Sequence, residues 1–427
     1  MQLKRRDFIQ LSGQIAGAGI LATAASCRPD DTSASAKQAV KNLNSKTGNP
    51  QPITFQEREM RIKKARQLLH ENHMEALVIE AGTALTYFTG ITWWPSERPM
   101  VAIIPHHGEL CYVCPAFEEA RLKELTTNGK DIFVWQEDES PYEQVANALK
   151  STGIEAGNIG IEERVRFFIV DGIRKFAPQY QLVSAEAVSA QCRLVKSSAE
   201  IDLMQIANDI TSAAMRLGIQ YLREGMSPAE FSAIVAAAHE GMGAQHDFAL
   251  ANFGAASAFP HGSSKPQSLR PGDIVLMDCG CRVEGYSADI SRTIVFGAEP
   301  SKRQLEIWNL EKEAQAAGFA AAQVGAPCEA VDAAARAVLE RAGFGPGYKL
   351  PGLPHRTGHG IGMDGHEWGN MVKGNSLPLV PGMCFSIEPN ISIPGEFGVR
   401  LEDCVYMTES GPRWFSCPSP AIDQPFV

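Results

Sequence analysis

The sequence predicts two folded domains in series, an α/β domain over residues 53–192 and an α+β domain with a curved, helix-flanked antiparallel sheet over residues 193–427. Two observations predict this division. In the first region, short apolar runs of strand length alternate with segments of helical periodicity, which is typical of an α/β domain. The second region opens on a helix start signal and continues mainly as strand-like runs and glycine-rich turns.

The first domain is expected to begin with a helix, because charged residues recur beside Phe55, Met60 and Ile62 at helical spacing. Buried strands are predicted at EALVIEAG and at MVAIIPHHGELCYVC, in which HHGE forms a turn, with a loop at TALTYFTGITWWPSERP between them. A helix at YEQVANALKSTG, a strand at NIGIEE and a helix at FIVDGIRKFAP follow. No glycine fingerprint for phosphates follows these strands, so no nucleotide site is predicted.

The second domain is expected to open on a long helix, because Ser197 and Glu200 have the spacing of a capping box ahead of an apolar-periodic run. Two further helices are predicted over residues 302–323 and 327–342. Pro327 marks the start of the second of these, and Gly343 marks its end. The remaining segments predict strands and turns.

Composition excludes several classes of protein. The chain has 427 residues, 44% hydrophobic and 21% charged, which is typical of globular domains rather than of disordered or fibrous chains. Its 39 basic and 49 acidic residues give a net charge of −10, which disfavours nucleic acid as the main partner. Ten scattered cysteines do not form a disulfide framework. No apolar run is long enough to predict a membrane-spanning helix.

Residues 1–27 have the pattern of an export signal, with Lys4, Arg5 and Arg6 ahead of a weakly apolar, Gly- and Ala-rich stretch. The run KRRDFIQ resembles a twin-arginine motif, which predicts export by that route. Cys27 follows small residues, as at a lipoprotein processing site; the alternative is a plain cut near Ala25. The chain is therefore expected to be periplasmic or a membrane-anchored lipoprotein. Residues 28–52 lack large apolar residues and predict a disordered linker.

Carboxylates stand at unusual places in the second domain. Asp278 ends an apolar strand among glycines, and Asp289 follows a turn that contains Gly285, so a bent hairpin could bring both to one end of a sheet. Glu388 interrupts the apolar run MCFSIEPNISI, and Glu402 lies two residues after Arg400, on the same face of one predicted strand. An acid within an apolar strand is expected to be paired or to bind a metal.

Histidines cluster in the same domain. His355, His359 and His366 lie within the run HRTGHGIGMDGHE, whose glycines disfavour a helix and predict an irregular strand or loop. His261 follows a proline in a separate predicted loop. Four carboxylates and one imidazole suit two divalent cations, and oxygen-rich ligation of this kind favours manganese, cobalt, zinc or iron. Two such ions can convert a bridging water to hydroxide near neutral pH.

The order MDCG, ADISRT, HRTGHGIG, IEP and RLED, with FPHG upstream, resembles the pita-bread metallopeptidases, and within them the Xaa-Pro aminopeptidases and Xaa-Pro dipeptidases (prolidases). The resemblance extends over about residues 54–427. The first domain resembles the creatinase-like amino-terminal domain of this branch, including the runs YFTG and KSSAEI. The resemblance implies a creatinase-like α/β domain followed by a pita-bread catalytic domain. It also implies hydrolysis of the bond before a proline at the second position of a peptide.

Position by position, the resemblance implies metal ligands at Asp278, Asp289, His359, Glu388 and Glu402. It implies that His261, His355 and His366 surround the substrate, that Glu388 also carries protons, and that Arg400 orients ligand carboxylates. Trp93 lies in a loop that in the family often reaches a neighbouring subunit's active site, so it is a candidate for the substrate wall. Two divalent ions, manganese first, and a homodimer or higher homo-oligomer are expected.

Two other functions are compatible with this fold. A non-peptidase hydrolase or lyase, of which creatinase is the example, would lack the full metal set, as would a catalytically silent binding protein. Because no ligand position is lost in this sequence, both alternatives are disfavoured. Metal content per chain separates them from the peptidase, since near two ions supports the peptidase and near zero supports either alternative.

Overall fold

The computed structural model describes residues 38–40, 43, 50–129 and 131–427. The predicted export signal, with Cys27, lies outside the described residues. Within the predicted linker, residues 38–40 are helical and Leu43 packs against the main core. Within the described part of the chain, no helix is both long enough and apolar enough to cross a membrane.

The amino-terminal domain contains a mixed sheet flanked by helices. Its strands are β1 (Ala76–Glu80), β2 (Val101–Pro105), β3 (Cys111–Pro115), β4 (Asp131–Trp135), β5 (Gly157–Ile161) and β6 (Tyr180–Ser184), in the order β4-β3-β2-β1-β5-β6. Its helices are α1 (Phe55–Glu71), α2 (Thr83–Thr89), α3 (Glu119–Leu125), α4 (Pro141–Ser151), α5 (Phe167–Phe176) and α6 (Glu186–Leu194). The predicted α/β domain is confirmed.

The central strands of this sheet are buried on both faces. In β1, Leu77 and Ile79 join one hydrophobic cluster, whereas Ala76 and Val78 join a second cluster on the opposite face. Both faces therefore need apolar side chains, which is why the sequence of β1 is a continuous apolar run rather than an alternating one.

Helix α2 corrects the sequence prediction, which assigned residues 83–99 to a loop. Three threonines in its seven residues lower its helical propensity, so the local pattern favoured irregular structure. Burial of Leu85 and Phe88 in the core outweighs that preference. The helix ends at Gly90, whose φ of 79° is a left-handed conformation that glycine adopts without strain.

The second domain combines long helices with antiparallel strands. Its helices are α7 (Ser198–Gln220), α8 (Pro228–Gly241), α9 (Lys302–Ala321) and α10 (Cys328–Arg341). Its strands are β7 (Gln245–Phe253), β8 (Ile274–Val283), β9 (Tyr286–Ser287), β10 (Ile290–Val295), β11 (Gly358–Gly360), β12 (Glu367–Met371), β13 (Cys384–Ile387), β14 (Asn390–Ile393), β15 (Phe397–Arg400), β16 (Asp403–Thr408) and β17 (Gly411–Trp414). The predicted helices and the capping box of Ser197 and Glu200 are confirmed.

The predicted antiparallel sheet is present in three hydrogen-bonded groups. The first has the order β10-β8-β7, the second has the order β12-β11-β13-β16-β17, and β14 pairs with β15 alone. A single bridge between Ser291 and Glu402 links the first group to the segment that joins β15 to β16. The prediction that Arg400 and Glu402 share one strand is therefore wrong, because β15 ends at Arg400 and β16 begins at Asp403.

A buried ion-pair network joins the two domains. Arg193, at the end of α6, donates to the carboxylates of Asp364 and Glu367, and Lys196 Nζ lies 2.9 Å from Glu367 Oε2. From the first domain, Thr83 Oγ1 donates to Asp364 Oδ1 at 2.7 Å and Arg164 pairs with the same carboxylate. These contacts fix the segment that leads to His366 against the amino-terminal domain.

Candidate metal centre

Two of the candidate ligands come from the β8–β10 region. Asp278 lies within β8, and the two-residue turn Glu284–Gly285, with positive φ at both positions, returns the chain toward Asp289. A Cβ atom at Gly280 would lie 2.3 Å from the carbonyl oxygen of Ala288. Glycine at this position is therefore what lets the segment that carries Asp289 approach β8 so closely.

The other candidate ligands come from the opposite half of the domain. His359 is the central residue of β11, and its backbone N–H donates to Ser386 Oγ at 3.0 Å. Glu388 directly follows β13, where its N–H donates to Thr357 O at 2.7 Å. A Cβ atom at either glycine beside His359 would lie within 2 Å of a carbonyl oxygen of a neighbouring strand. The GHG sequence is therefore needed for close strand packing around the imidazole.

These side chains converge on one place. Ligand atoms of Asp278, Asp289 and Glu402 lie within 4.8 Å of one another, and so do those of His359, Glu388 and Glu402. Glu402 belongs to both groups. His359 Nε2 lies 3.1 Å from Glu388 Oε1 and 3.8 Å from Asp289 Oδ2. All five predicted ligands therefore lie together in one buried centre with two overlapping sets of donors.

The electrostatics of this centre suit cations. Burial and then the neighbouring carboxylates raise the pKa of Asp289 and of Glu402 well above ordinary values. Burial would also raise the pKa of Glu388, but its hydrogen bond to His359 lowers the pKa to about 2. Asp278 Oδ1, Asp289 Oδ1 and Glu402 Oε1 are buried without a hydrogen-bond partner in the described chain. The clustered carboxylates repel one another when they are ionised. Divalent cations would offset this repulsion and bind the unpartnered oxygens, so the donor set fits the implied metals.

Arg400 holds two of the carboxylates in place. Its guanidinium is buried, pairs with Asp278, and lies 3.8 Å from Glu402 Oε2. Its Nε also donates to Ser291 Oγ at 2.9 Å, and that hydroxyl donates to Glu402 Oε2 at 2.7 Å. Arg400 therefore has the position that was predicted for an arginine that orients ligand carboxylates.

A second buried arginine was missed by the sequence analysis. Arg292 is fully buried, donates to the carbonyl oxygens of Ser291 and Glu402 at 2.9 Å, and pairs with Asp403 Oδ1 at 2.7 Å. These bonds fix the backbone that carries Glu402. A charged pair within apolar strand sequence was the available signal, since Arg292 lies within the run ADISRT and Asp403 within the run RLED.

The predicted substrate histidines line a cavity of about 750 Å³ above this centre, together with all five candidate ligands. His355 Nδ1 lies 2.7 Å from the carbonyl oxygen of Arg356, so Nδ1 carries the proton and the buried Nε2 is left as an acceptor. Burial lowers the pKa of His355. His261 contributes a third imidazole to the cavity wall.

His366 has the opposite tautomer. Its Nδ1 accepts from the Arg356 guanidinium at 2.9 Å, so in the neutral ring Nε2 carries the proton. Burial, then His359 and Arg356, lower the pKa of His366 to about 4, which makes it a neutral donor at pH 7. Its ring stacks on that of His359 with centroids 3.9 Å apart. One of its ring nitrogens also lies within 4.8 Å of ligand atoms of Asp289 and His359. Distance alone therefore does not distinguish His366 from the candidate ligands.

Other residues of the cavity were not predicted. Arg164 reaches the wall from the amino-terminal domain, and Arg356, Asp247 and Arg282 also line it. Trp93 does not line this cavity in the described chain; it packs against the main core with the Arg121 guanidinium 4.6 Å from its ring centroid. Its predicted role in a substrate wall depends on a second subunit and stays a prediction.

The fold and this centre together define a metal-dependent enzyme. Residues 61–195 match the family model of the creatinase/prolidase amino-terminal domain, and residues 202–409 match that of metallopeptidase family M24. An Xaa-Pro dipeptidase from Lactobacillus helveticus is 31% identical over 371 residues, which cover 84% of this chain and 96% of the relative.

Solved structures agree with this result. A dipeptidase from Mycobacterium ulcerans superposes with a TM-score of 0.79 at 31% identity, over 87% of this chain and 98% of that chain. A prolidase from Thermococcus sibiricus superposes with a TM-score of 0.76 at 29% identity, over 84% and 96% of the two chains. The chain therefore belongs to metallopeptidase family M24, the pita-bread metallopeptidases, with a creatinase-like amino-terminal domain.

Proposed function

We propose that the protein is an exopeptidase that hydrolyses the Xaa-Pro bond at the amino terminus of peptides with a dinuclear metal centre. The observation that carries the proposal is the position of Glu402, which belongs to two overlapping sets of three ligand atoms. A carboxylate shared between two donor sets suits a pair of divalent ions. The names and coverage of the relatives support the Xaa-Pro bond as the substrate.

The ligands and the cavity residues have separable roles in this proposal. Two divalent ions, manganese first and cobalt, zinc or iron as alternatives, would supply a hydroxide nucleophile near neutral pH and polarise the scissile carbonyl. Glu388 accepts the proton of the nucleophilic water and passes it toward the leaving proline nitrogen. His366 lines the cavity and its Nε2–H is the donor for the developing oxyanion, whereas His355 Nε2 is available to accept a substrate N–H.

The test is hydrolysis of a panel of Xaa-Pro dipeptides and tripeptides by protein loaded with manganese, cobalt or zinc, alongside metal content per chain. Near two ions per chain and release of the amino-terminal residue are expected. Full metal content with no cleavage of any Xaa-Pro peptide would reject the substrate. A chain that binds no metal would instead favour a creatinase-like hydrolase or lyase, or a silent binding protein.

The histidines of the cavity give a first prediction. His355→Ala and His366→Ala are expected to keep both metals and to lose about 10²- to 10⁴-fold in kcat, the usual size of an acid–base or oxyanion contribution. His359→Ala is the matched control, since it alone should lower metal content. Elemental analysis of the purified variants beside their kcat decides the assignment. Loss of metal from the His366 variant would make it a ligand.

We also propose export by the twin-arginine route, on the strength of Arg5 and Arg6 ahead of Phe8 and Ile9. Replacing both arginines with lysine is expected to leave an active enzyme in the cytoplasm, as measured by fractionation and activity. Unchanged export would indicate another route. Cys27→Ser should release the protein from membranes if Cys27 is lipidated, and wild-type membrane association of this variant would exclude the lipid anchor.

A further inference from the structure

A second cavity adjoins the one above the metal centre. Its volume is about 520 Å³, and His261 lines both cavities. The end of β7 from Leu250 to Asn252, the start of α8, and the loop over residues 261–267 form its wall. Because one imidazole belongs to both walls, a molecule that fills the first cavity can extend past His261 into the second.

The wall of this cavity holds an amide without partners. Asn252 is 1% exposed, and neither its Oδ1 nor its Nδ2 has a hydrogen-bond partner in the described chain. A Cβ atom at Gly262 would lie 3.3 Å from Oδ1 and 3.8 Å from Nδ2, so the amide faces the loop that lines the cavity. A buried donor and acceptor with no partner in the chain destabilise the fold, and a ligand that supplies both partners would offset this cost.

The chemistry of the missing partner follows from the groups present. A carboxamide offers one acceptor oxygen and a donor nitrogen, and its complement is a peptide group, with one N–H and one C=O. Lys265, which is exposed, lies in the same wall, and no ion pair of its ammonium group is found among the described residues. The cavity therefore suits a short peptide segment that ends in a carboxylate.

We propose that this second cavity binds the residues that follow proline in substrates longer than a dipeptide. A backbone peptide group of that segment pairs with Asn252, and its terminal carboxylate lies toward Lys265. The inference rests on the proposed function. An enzyme that removes one amino-terminal residue has a single residue before the cleaved bond, so any further residues of a longer substrate lie after that bond and need a subsite there.

The test compares Ala-Pro, Ala-Pro-Ala and the carboxyl-terminal amide of Ala-Pro-Ala as substrates of the metal-loaded enzyme. Asn252→Leu, which is similar in volume but makes no hydrogen bond, is expected to lower the tripeptide-to-dipeptide ratio of kcat/KM about tenfold, the size of one or two hydrogen bonds. Lys265→Met should lower this ratio for the free acid but not for the amide. Because Asn252→Leu removes an unpartnered buried amide, its thermal midpoint should not fall below that of wild type.

Asn208 provides the matched control. It is also fully buried and its Oδ1 also lacks a partner in the described chain, but its Nδ2 donates to Met204 O at 2.8 Å and it lines neither cavity, so Asn208→Leu should keep the wild-type ratio. The same ratio in wild type and Asn252→Leu would overturn the inference. Binding of Pro-Ala, measured by calorimetry, tests the cavity separately from the proposed function. Weaker binding of Pro-Ala by Asn252→Leu than by wild type supports a peptide-binding role for the second cavity, even if no Xaa-Pro peptide is cleaved. Equal binding of Pro-Ala by the two proteins overturns that role.

Discussion

Glu402→Ala is expected to lower hydrolysis of Xaa-Pro peptides by several orders of magnitude and to lower metal content below that of wild type. Glu402 belongs to both sets of ligand atoms, so its loss would remove a donor from each proposed metal position. The substitution also removes one buried carboxylate from a cluster in which burial and neighbouring acids raise its pKa. The metal-free variant should therefore stay folded, which circular dichroism checks beside kcat/KM and elemental analysis.

Glu396→Ala is the control for this experiment. Glu396 lies between β14 and β15, in the same part of the chain, but it is exposed and its nearest charged partner is Arg303, with Nε 3.4 Å from Oε2. Wild-type metal content and turnover are expected for it. Near-wild-type turnover by Glu402→Ala would remove the two-metal mechanism from consideration.

Glu367→Ala is expected to destabilise the protein by about 3–5 kcal/mol, the usual result of removing one partner from a buried ion pair. Its carboxylate pairs with Arg193 and Lys196, and all three side chains are 2% exposed. The substitution leaves both cations buried without this partner. Urea denaturation of the metal-free proteins at pH 7 measures the change. Glu137→Ala, which breaks an exposed pair with Arg98, should leave stability unchanged.

The buried ion pairs of Glu367 also predict that the stability of the protein depends on pH. Burial would raise the pKa of Glu367, but Lys196 and then Arg193 lower it from 4.5 to about 2. A depressed pKa means that the stabilisation is fully present above the ordinary pKa and is lost as the pH falls from about 4.5 toward about 2. The difference in stability between wild type and Glu367→Ala should therefore shrink over that range. A difference that stays constant to pH 2 would show that the ion pair does not carry the effect.

The candidate ligands could be predicted from the sequence because each one is an unusual residue for its local sequence context. Glu388 and Glu402 stand in apolar strand sequence, Asp278 and Asp289 flank glycine-rich turns, and His359 lies between two glycines. Such departures are visible without knowing which strands pair. The family resemblance then separated ligands from neighbouring histidines, which spacing alone did not do.

What the sequence did not predict depends on distant contacts. Helix α2 forms because Leu85 and Phe88 are buried by other elements, against the local preference of a threonine-rich segment. The pairing of Arg292 with Asp403 spans 111 residues, and Arg193 reaches Glu367 across 174. Local periodicity carries no information about which charged residues meet across such separations.

The position of the ligands in the chain has a consequence for folding. Asp278 and Asp289 come from the β8–β10 region, whereas His359 and Glu388 come from the β11–β13 region. An unfolded chain does not hold these groups together, so bound metal acts as a reversible cross-link between the two halves of the domain, and its binding energy adds to the folding energy. The melting temperature then reports metal occupancy, and chelation should lower it without altering any covalent bond.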